Sequence, residues 1–195
     1  MIRAIQKNDD LDRIAQLIYA TDDFLFPSIF GRGEGAMEKL KALVALENNS
    51  FSHRFIRGFF DDAGVCQGIA ITFHAKNKSK DQDFTQVFHG LSALWLGLKL
   101  MPIRNLLNPR IGKSVYLQNL SVHESMRGQG IGKALLNDFY ETAIHAGFDT
   151  VSLDVSLSNE GAMRLYLNEG FKRVKKRHIL GLFPVMYYCE KNVQY

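Results

Sequence analysis

At 195 residues, 46% apolar and 23% charged, the chain is long enough to bury one substantial core and has the composition of an ordinary globular domain, residues 1–195. Its net charge of +4 suits an anionic small ligand and falls short of what would argue for a nucleic-acid partner. Two cysteines, Cys66 and Cys189, lie in apolar runs outside any metal or redox motif, and no leader pattern follows Met1, so the cytoplasm is the expected compartment.

Ile2 to Gln6 alternates like a strand, and Asn8 or Asp9 can cap the helix whose apolar face is Leu11, Ile14, Ala15, Leu17 and Ile18. Asp22 to Gly31 reads as an aromatic loop, with Phe24, Phe26 and Phe30 assigned either to a cleft wall or to the core. A second helix is expected over Glu34 to Leu46. Arg54 to Phe60 and Val65 to His74 form strands joined by the turn Asp61-Asp62-Ala63-Gly64. Residues 75–113 follow as an unusually long connection. Within it Phe84, Val87, Phe88, Leu91, Leu94, Trp95, Leu98 and Met101 recur at helical spacing, widened by Leu96 and Leu100. Packing beside an acceptor cleft, a homodimer contact or lid, and membrane-surface binding are its alternative roles; Lys99 interrupts the apolar stretch well short of a membrane span. Strand 115–122, helix 131–146, strand 150–157, helix 159–169 and closing strands 171–179 and 185–190 complete the order.

Where the strand Val115 to Val122 gives way to the helix beginning near Ile131, the chain reads Arg127-Gly128-Gln129-Gly130-Ile131-Gly132-Lys133. Glycines there let the backbone approach a ligand, and the unpaired N–H groups of the first helical turn form a cradle for pyrophosphate. The spacing fits neither a P-loop, since Ala134 stands where Ser or Thr should be, nor the dinucleotide fingerprint. Arg127, Gly130 and Gly132 do fill [QR]-x-x-G-x-[GA]. Downstream, Asn159, Ala162, Leu165, Tyr166, Gly170 and Phe171 fill N-x-x-A-x-x-L-Y-x-x-x-G-F.

These two ordered motifs resemble the acetyl-CoA signatures of the GNAT N-acetyltransferase superfamily. The resemblance implies an α/β (α+β) fold: a central mixed, mostly antiparallel sheet of six to seven strands flanked by helices. The family usually has a short hairpin between its third and fourth strands, so residues 75–113 read as a helical insertion. The implied activity is transfer of an acetyl group from acetyl-CoA to a primary amine of a small molecule or protein, without a metal. A non-catalytic acyl-CoA-binding or protein-interaction module built on the inserted helix is the alternative.

By the same resemblance, the backbone of Leu120, Ser121 and Val122 lies along the pantetheine arm, and an amide of Val122 or Leu120 polarises the thioester carbonyl. Amides of Gly128, Gln129, Gly130, Ile131, Gly132 and Lys133 hold the pyrophosphate beside Arg127, and Asn159 bonds the cofactor arm. Tyr166 matches the tyrosine that protonates the departing thiolate, a task a phenol suits. Asp154 is the first candidate for the base, with a solvated strand aspartate as its plain alternative. His123 and Glu124 are further candidates on a turn. Gln118, near where relatives carry a glutamate, cannot take a proton. The remaining histidines show no metal spacing, and the basic run Lys172 to Arg177 reads as a solvated strand face.

Overall fold

The strand that organises the molecule is Val115–Val122, whose register shifts halfway along its length. In this computed structural model residues 1–23, 25–75, 82–90, 94, 97, 98, 101, 113–179 and 183–193 are described. Seven strands occur among them: β1 (Ile2–Ala4), β2 (Ile56–Phe60), β3 (Cys66–Phe73), β4 (Val115–Val122), β5 (Thr150–Ser156), β6 (Lys172–Ile179) and β7 (Phe183–Asn192). They form one sheet in the order β1-β2-β3-β4-β5-β7-β6, antiparallel throughout except for the parallel pair β4–β5. The fold class expected from the sequence is therefore the one observed.

Helices cover both faces. On one lie α1 (Leu11–Tyr19), α2 (Leu25–Phe30), α3 (Glu34–Ala45) and the short α4 (Phe84–Val87), packed on alternate strand residues such as Ile69, Ile71 and Tyr116. On the other, α5 (Ile131–His145) and α6 (Glu160–Asn168) pack on Val115, Leu117, Val151 and Leu153. This alternation follows from the two-residue period of a strand, which gives each face every second side chain.

Several local readings change. The aromatic stretch is helical: Asp22 Oδ1 accepts the N–H of Leu25 at 2.6 Å, and Phe26 and Phe30, four apart, both turn into the core. Phe24 lies outside the described residues. The cap of α1 is Asp10, which accepts from Arg13 N, while Asp9 instead pairs with Arg3 and accepts from Gln6 N. The helix proposed to run on from Phe84 stops at Val87, because Phe88 adopts extended backbone and buries its ring against Phe30 and Phe84. Leu94, Leu98 and Met101 are exposed; Leu91, Trp95, Leu96, Lys99 and Leu100 lie outside the described residues. Other boundaries move by a residue or two, as helix and strand ends do. The hairpin turn is as expected, with Gly64 at φ 77° and its N–H on Asp61 O.

Helix α5 lies so close to the sheet that β3 needs a glycine beneath it. A Cβ on Gly68 would sit 2.9 Å from the Ser121 carbonyl and 3.2 Å from Ile131 and Leu135 of α5. Gly68→Ala is expected to cost about 1–3 kcal/mol by overpacking, read as a lower denaturant midpoint with an unchanged slope.

Candidate active site

The ladder between β4 and β5 lasts three pairs and ends at Leu117↔Leu153. Beyond it the strands part, and the edge of β4 from Gln118 to Val122 has no strand on that side. Strand alternation sets which groups face the gap. The N–H of His123 bonds Gln67 O on the β3 side at 2.8 Å. The N–H groups of Val122 and, two back, Leu120 therefore point the other way, into the gap. The groove there has a volume of about 910 Å³. Of the residues expected to hold a cofactor, Leu120, Ser121, Val122, Arg127, Gly132, Asn159 and Tyr166 line it.

The glycine turn sits near Arg127 and Gly132. Gly128 and Gly130 take φ 77° and 80°, left-handed values that other residues adopt at a cost. Gly130 caps α5 with no side-chain acceptor, and the first turn holds no acidic residue. The N–H groups and dipole of a 15-residue helix thus lie open to an anion. Three neighbours use their side chains elsewhere. Ile131 is buried in the core, Gln129 Nε2 lies against Met126 Sδ, and Lys133 pairs with Glu169 at 3.4 Å. Arg127 Nε donates to the Val122 carbonyl at 3.3 Å, tying the turn back to β4.

Asn159 caps α6: its Oδ1 accepts from Ala162 N at 3.0 Å. That leaves the Nδ2 group as its ligand-facing donor. One face of α6 carries Tyr166 inward, 7% exposed and edge-on to Phe171. Burial pushes its phenol up, so the hydroxyl stays protonated across the neutral range.

A second space of about 530 Å³ opens on the α1–α4 side. Tyr166, Asn159 and Leu120 are among the residues that line both spaces, so the two adjoin there. The register shift in β4 shapes this chamber. Ile71 pairs with Asn119 and Thr72 with Leu117, so Gln118 is bulged out. Two consecutive side chains consequently reach the same helical layer: Gln118 Nε2 donates to Ser50 O at 3.3 Å, and Asn119 Nδ2 to Thr21 Oγ1 at 2.7 Å.

Asp154 is no solvated strand aspartate. Its Oδ2 accepts from Arg177 Nη1 and, at 3.0 Å, from the Tyr116 hydroxyl, and its side chain is 5% exposed. Burial pushes its carboxyl up from the ordinary aspartate value, against the downward pull of Arg177. Burial and the adjoining carboxylate push the Tyr116 phenol up as well. Arg177 thus departs from the solvated strip read from the basic run; the rest of β6 is mostly exposed. A buried strand aspartate requires a counter-charge, but the residue supplying it lies on the far edge strand. Neither Arg177 nor Tyr116 was singled out from the sequence. His123 and Glu124 occupy the turn after β4, where His123 Nδ1 contacts Ser125 Oγ at 2.7 Å; neither lines the chamber. Cys66 and Cys189 are buried and unoxidised, with burial raising both thiols to about 11. Among the described residues no cluster has the makings of a metal site, and no helix is long and apolar enough to cross a membrane.

The sheet parts beside a glycine turn, and a buried tyrosine lines two adjoining clefts. The comparisons with known proteins point to the GNAT superfamily. The profile of the Acetyltransferase (GNAT) family matches residues 102–171. N-acetyltransferase 8F1 of Rattus norvegicus is 40% identical over 67 residues, 34% of this chain and 30% of that protein, so the match spans about a third of such relatives. Among solved structures, an N-acetyltransferase from Staphylococcus aureus Mu50 overlays 98% of this chain and 100% of its own at a TM-score of 0.79 and 18% identity. The NatC complex bound to Gag peptide and CoA overlays 100% and 98% at 0.60 and 15%.

The buried pair yields a prediction. Arg177→Met should cost about 3–5 kcal/mol by stranding the Asp154 carboxylate. The loss should shrink as pH falls, because protonating Asp154 removes the unpaired charge. Thermal denaturation at pH 5 and pH 8 checks it, and adding Asp154→Asn should restore part of the loss.

Proposed function

We propose that the protein is an acetyl-CoA-dependent N-acetyltransferase acting on a primary amine. The observation that carries this reading is a groove and a chamber that adjoin beside an open strand edge and share the buried Tyr166 in their walls. The residues present fit the cofactor: uncapped N–H groups with glycines at φ 77° and 80° for its pyrophosphate, and a free β4 edge for its amide arm. The solved relative that carries CoA has the same fold.

In this reading the α5 N-terminus and the Gly128–Lys133 amides hold the phosphates, while Arg127 steadies the turn. Leu120, Ser121 and Val122 align the arm through backbone bonds, and Asn159 Nδ2 donates to it. The thioester supplies an activated acetyl carbon. The amine nitrogen attacks that carbon as the carbonyl oxygen takes negative charge, which the inward N–H of Leu120 or Val122 stabilises. The C–S bond then breaks, the nitrogen gives up a proton, and the sulfur gains one, leaving an acetamide and free thiol.

Asp154 Oδ1 takes the amine's proton. Arg177 and Tyr116 hold the carboxylate in place through Oδ2, and burial raises its basicity. Tyr166 donates its O–H to the departing sulfur. The non-catalytic alternative would leave the phenol, the carboxylate and the chamber without a task.

Calorimetric titration with acetyl-CoA tests the reading first: one-site binding is expected, and no binding at millimolar cofactor would sink it. Gly132 sharpens the test because its backbone is unstrained and an added Cβ finds ordinary contacts, Leu165 at 3.7 Å and Val122 at 3.9 Å. Gly132→Leu should fold normally and block the groove. Tyr166→Phe and Asp154→Asn should each lower kcat about 10²- to 10⁴-fold with cofactor affinity retained. The wild-type kcat/KM should rise with pH through the Asp154 ionisation, above the usual carboxylate range. The limb from Tyr166 should fall above the usual phenol range, since burial raises both groups. A Tyr166→Phe enzyme with full turnover would remove the acid role.

A further inference from the structure

We propose that the chamber selects a small primary amine carried on an apolar, carboxylate-free body, of which an arylalkylamine is the type. This rests on the acetyl-transfer reading and adds the class of its acceptor.

The first observation is a pair of unpartnered oxygens in residues that line the chamber. Asn119 Oδ1 and Asp154 Oδ1 are both buried without a hydrogen-bond partner. Their identity as acceptors follows from the surrounding network. The Thr21 hydroxyl spends its proton on the Ile18 carbonyl at 2.6 Å, so toward Asn119 it can only accept, and the Asn119 group facing it must be the N–H₂. The orphan on Asn119 is therefore the carbonyl oxygen. At Asp154 the Arg177 guanidinium and the Tyr116 hydroxyl both occupy Oδ2, leaving Oδ1 unpaired. Buried acceptors without donors are uncommon in folded proteins, and a ligand is one way they are completed. Two acceptors in residues of one chamber wall suit a group that carries several N–H donors. An ammonium or amine does so; a hydroxyl brings one.

The second observation is the rest of the wall. Phe26, Phe51, Phe84 and Phe88 form its aromatic side, with Ile29 and Met186, while Thr21, Asp22, Ser50, Thr85, Gln118, Ser156 and Asn159 supply neutral polar groups and one further carboxylate. Phe51 sits against Phe26 at 5.8 Å and Phe84 at 6.1 Å between ring centroids. Such a side takes up an apolar or aromatic body. A volume of about 530 Å³ is that of a small-molecule site.

The third observation concerns charge. Among the described residues lining the chamber there is no lysine, arginine or histidine, whereas Asp22 and Asp154 are both present. An amino acid would bring its carboxylate into an acidic, aromatic space without a counter-ion. Arg177 lies behind Asp154 and outside the wall, engaged with that carboxylate.

The test compares acceptors on the wild-type protein. Thiol release is followed with acetyl-CoA and 2-phenylethylamine, phenylalanine, spermidine or a peptide beginning with phenylalanine. Binding of each to the CoA-loaded protein is measured by calorimetry. The expected kcat/KM for 2-phenylethylamine exceeds that for phenylalanine by about 100-fold or more. 2-Phenylethanol, with the same body and one donor, should compete at least about tenfold more weakly than the amine. Faster thiol release with phenylalanine, spermidine or the peptide would overturn the chamber assignment and leave the transfer reading standing. Binding of 2-phenylethylamine with no thiol released from any acceptor would sustain the chamber and sink the transfer reading. Failure of 2-phenylethylamine to bind, with another acceptor turned over, would also overturn the assignment.

Discussion

Backbone N–H and C=O groups must find partners, and the structure turns on the one place in mid-sheet where strands stop supplying them. After Leu117↔Leu153 the parallel strands β4 and β5 separate, and five residues of β4 face a gap. Sheets ordinarily avoid such an open edge, since it invites association with another chain. Here it lies along a groove walled by residues 20–23, which follow α1, and by Gly161, Ala162, Leu165 and Tyr166 of α6. β5 is held in its parted position from its other side by β7 along its whole length, Thr150↔Asn192 to Ser156↔Met186. The last strand thus braces the opening instead of closing it, because β7 enters the sheet between β5 and β6.

The same parting explains why a charge is tolerated in the middle of the sheet. Asp154 lies one residue beyond the last β4–β5 pair, on the face opposite Leu153 and Val155, whose side chains belong to the α5–α6 core. Its counter-charge comes from β6, two strands away, reaching across β7. A buried ion pair of this kind is weak evidence for stability, because desolvation offsets most of the attraction. Apolar residues at positions 154 and 177 would pack this centre at lower cost. The pair fits the proton-accepting role proposed for Asp154, and Arg177 keeps that carboxylate from being an isolated charge.

What the sequence made legible follows from the range of the forces involved. Elements set by local pattern were readable: the amphipathic face of α1, the Asp61–Gly64 turn, and the glycine turn leading into α5, where φ near +80° at Gly130 leaves few alternatives. The helix α2 was missed because its signal is only six residues long, and its Asp22 cap resembles a loop residue. The partners of Asp154 were missed for a different reason. Arg177 stands in a run of basic residues whose alternation points outward, and a register shift at Val174 in β6 changes which of them turns inward. Bulges leave little trace in composition. The shift at Gln118 is the same kind of event, and it brings Gln118 and Asn119 to one face where strict alternation would separate them. Beyond Val87, most of the inserted apolar stretch lies outside the described residues, so the reading of its face has no structural counterpart.

That bulge also couples the two halves of the site. Asn119 turns its side chain toward the acceptor chamber, while the next residue, Leu120, turns its N–H toward the cofactor groove. One rigid strand therefore carries the group that would meet the acceptor and the group that would meet the thioester, on adjacent residues 3.8 Å apart in any trans chain. Reacting atoms must approach to about 3–3.5 Å for acyl transfer, and misplacement by about an ångström is costly. Sites built on strands hold such spacing better than sites built on loops. The chamber wall contributed by Leu25, Phe26, Ile29, Phe84 and Phe88 lies off this strand, so it can vary while the spacing along β4 stays fixed. In the transfer proposed above, the acceptor chamber's walls can change without moving the strand that sets the geometry of reaction.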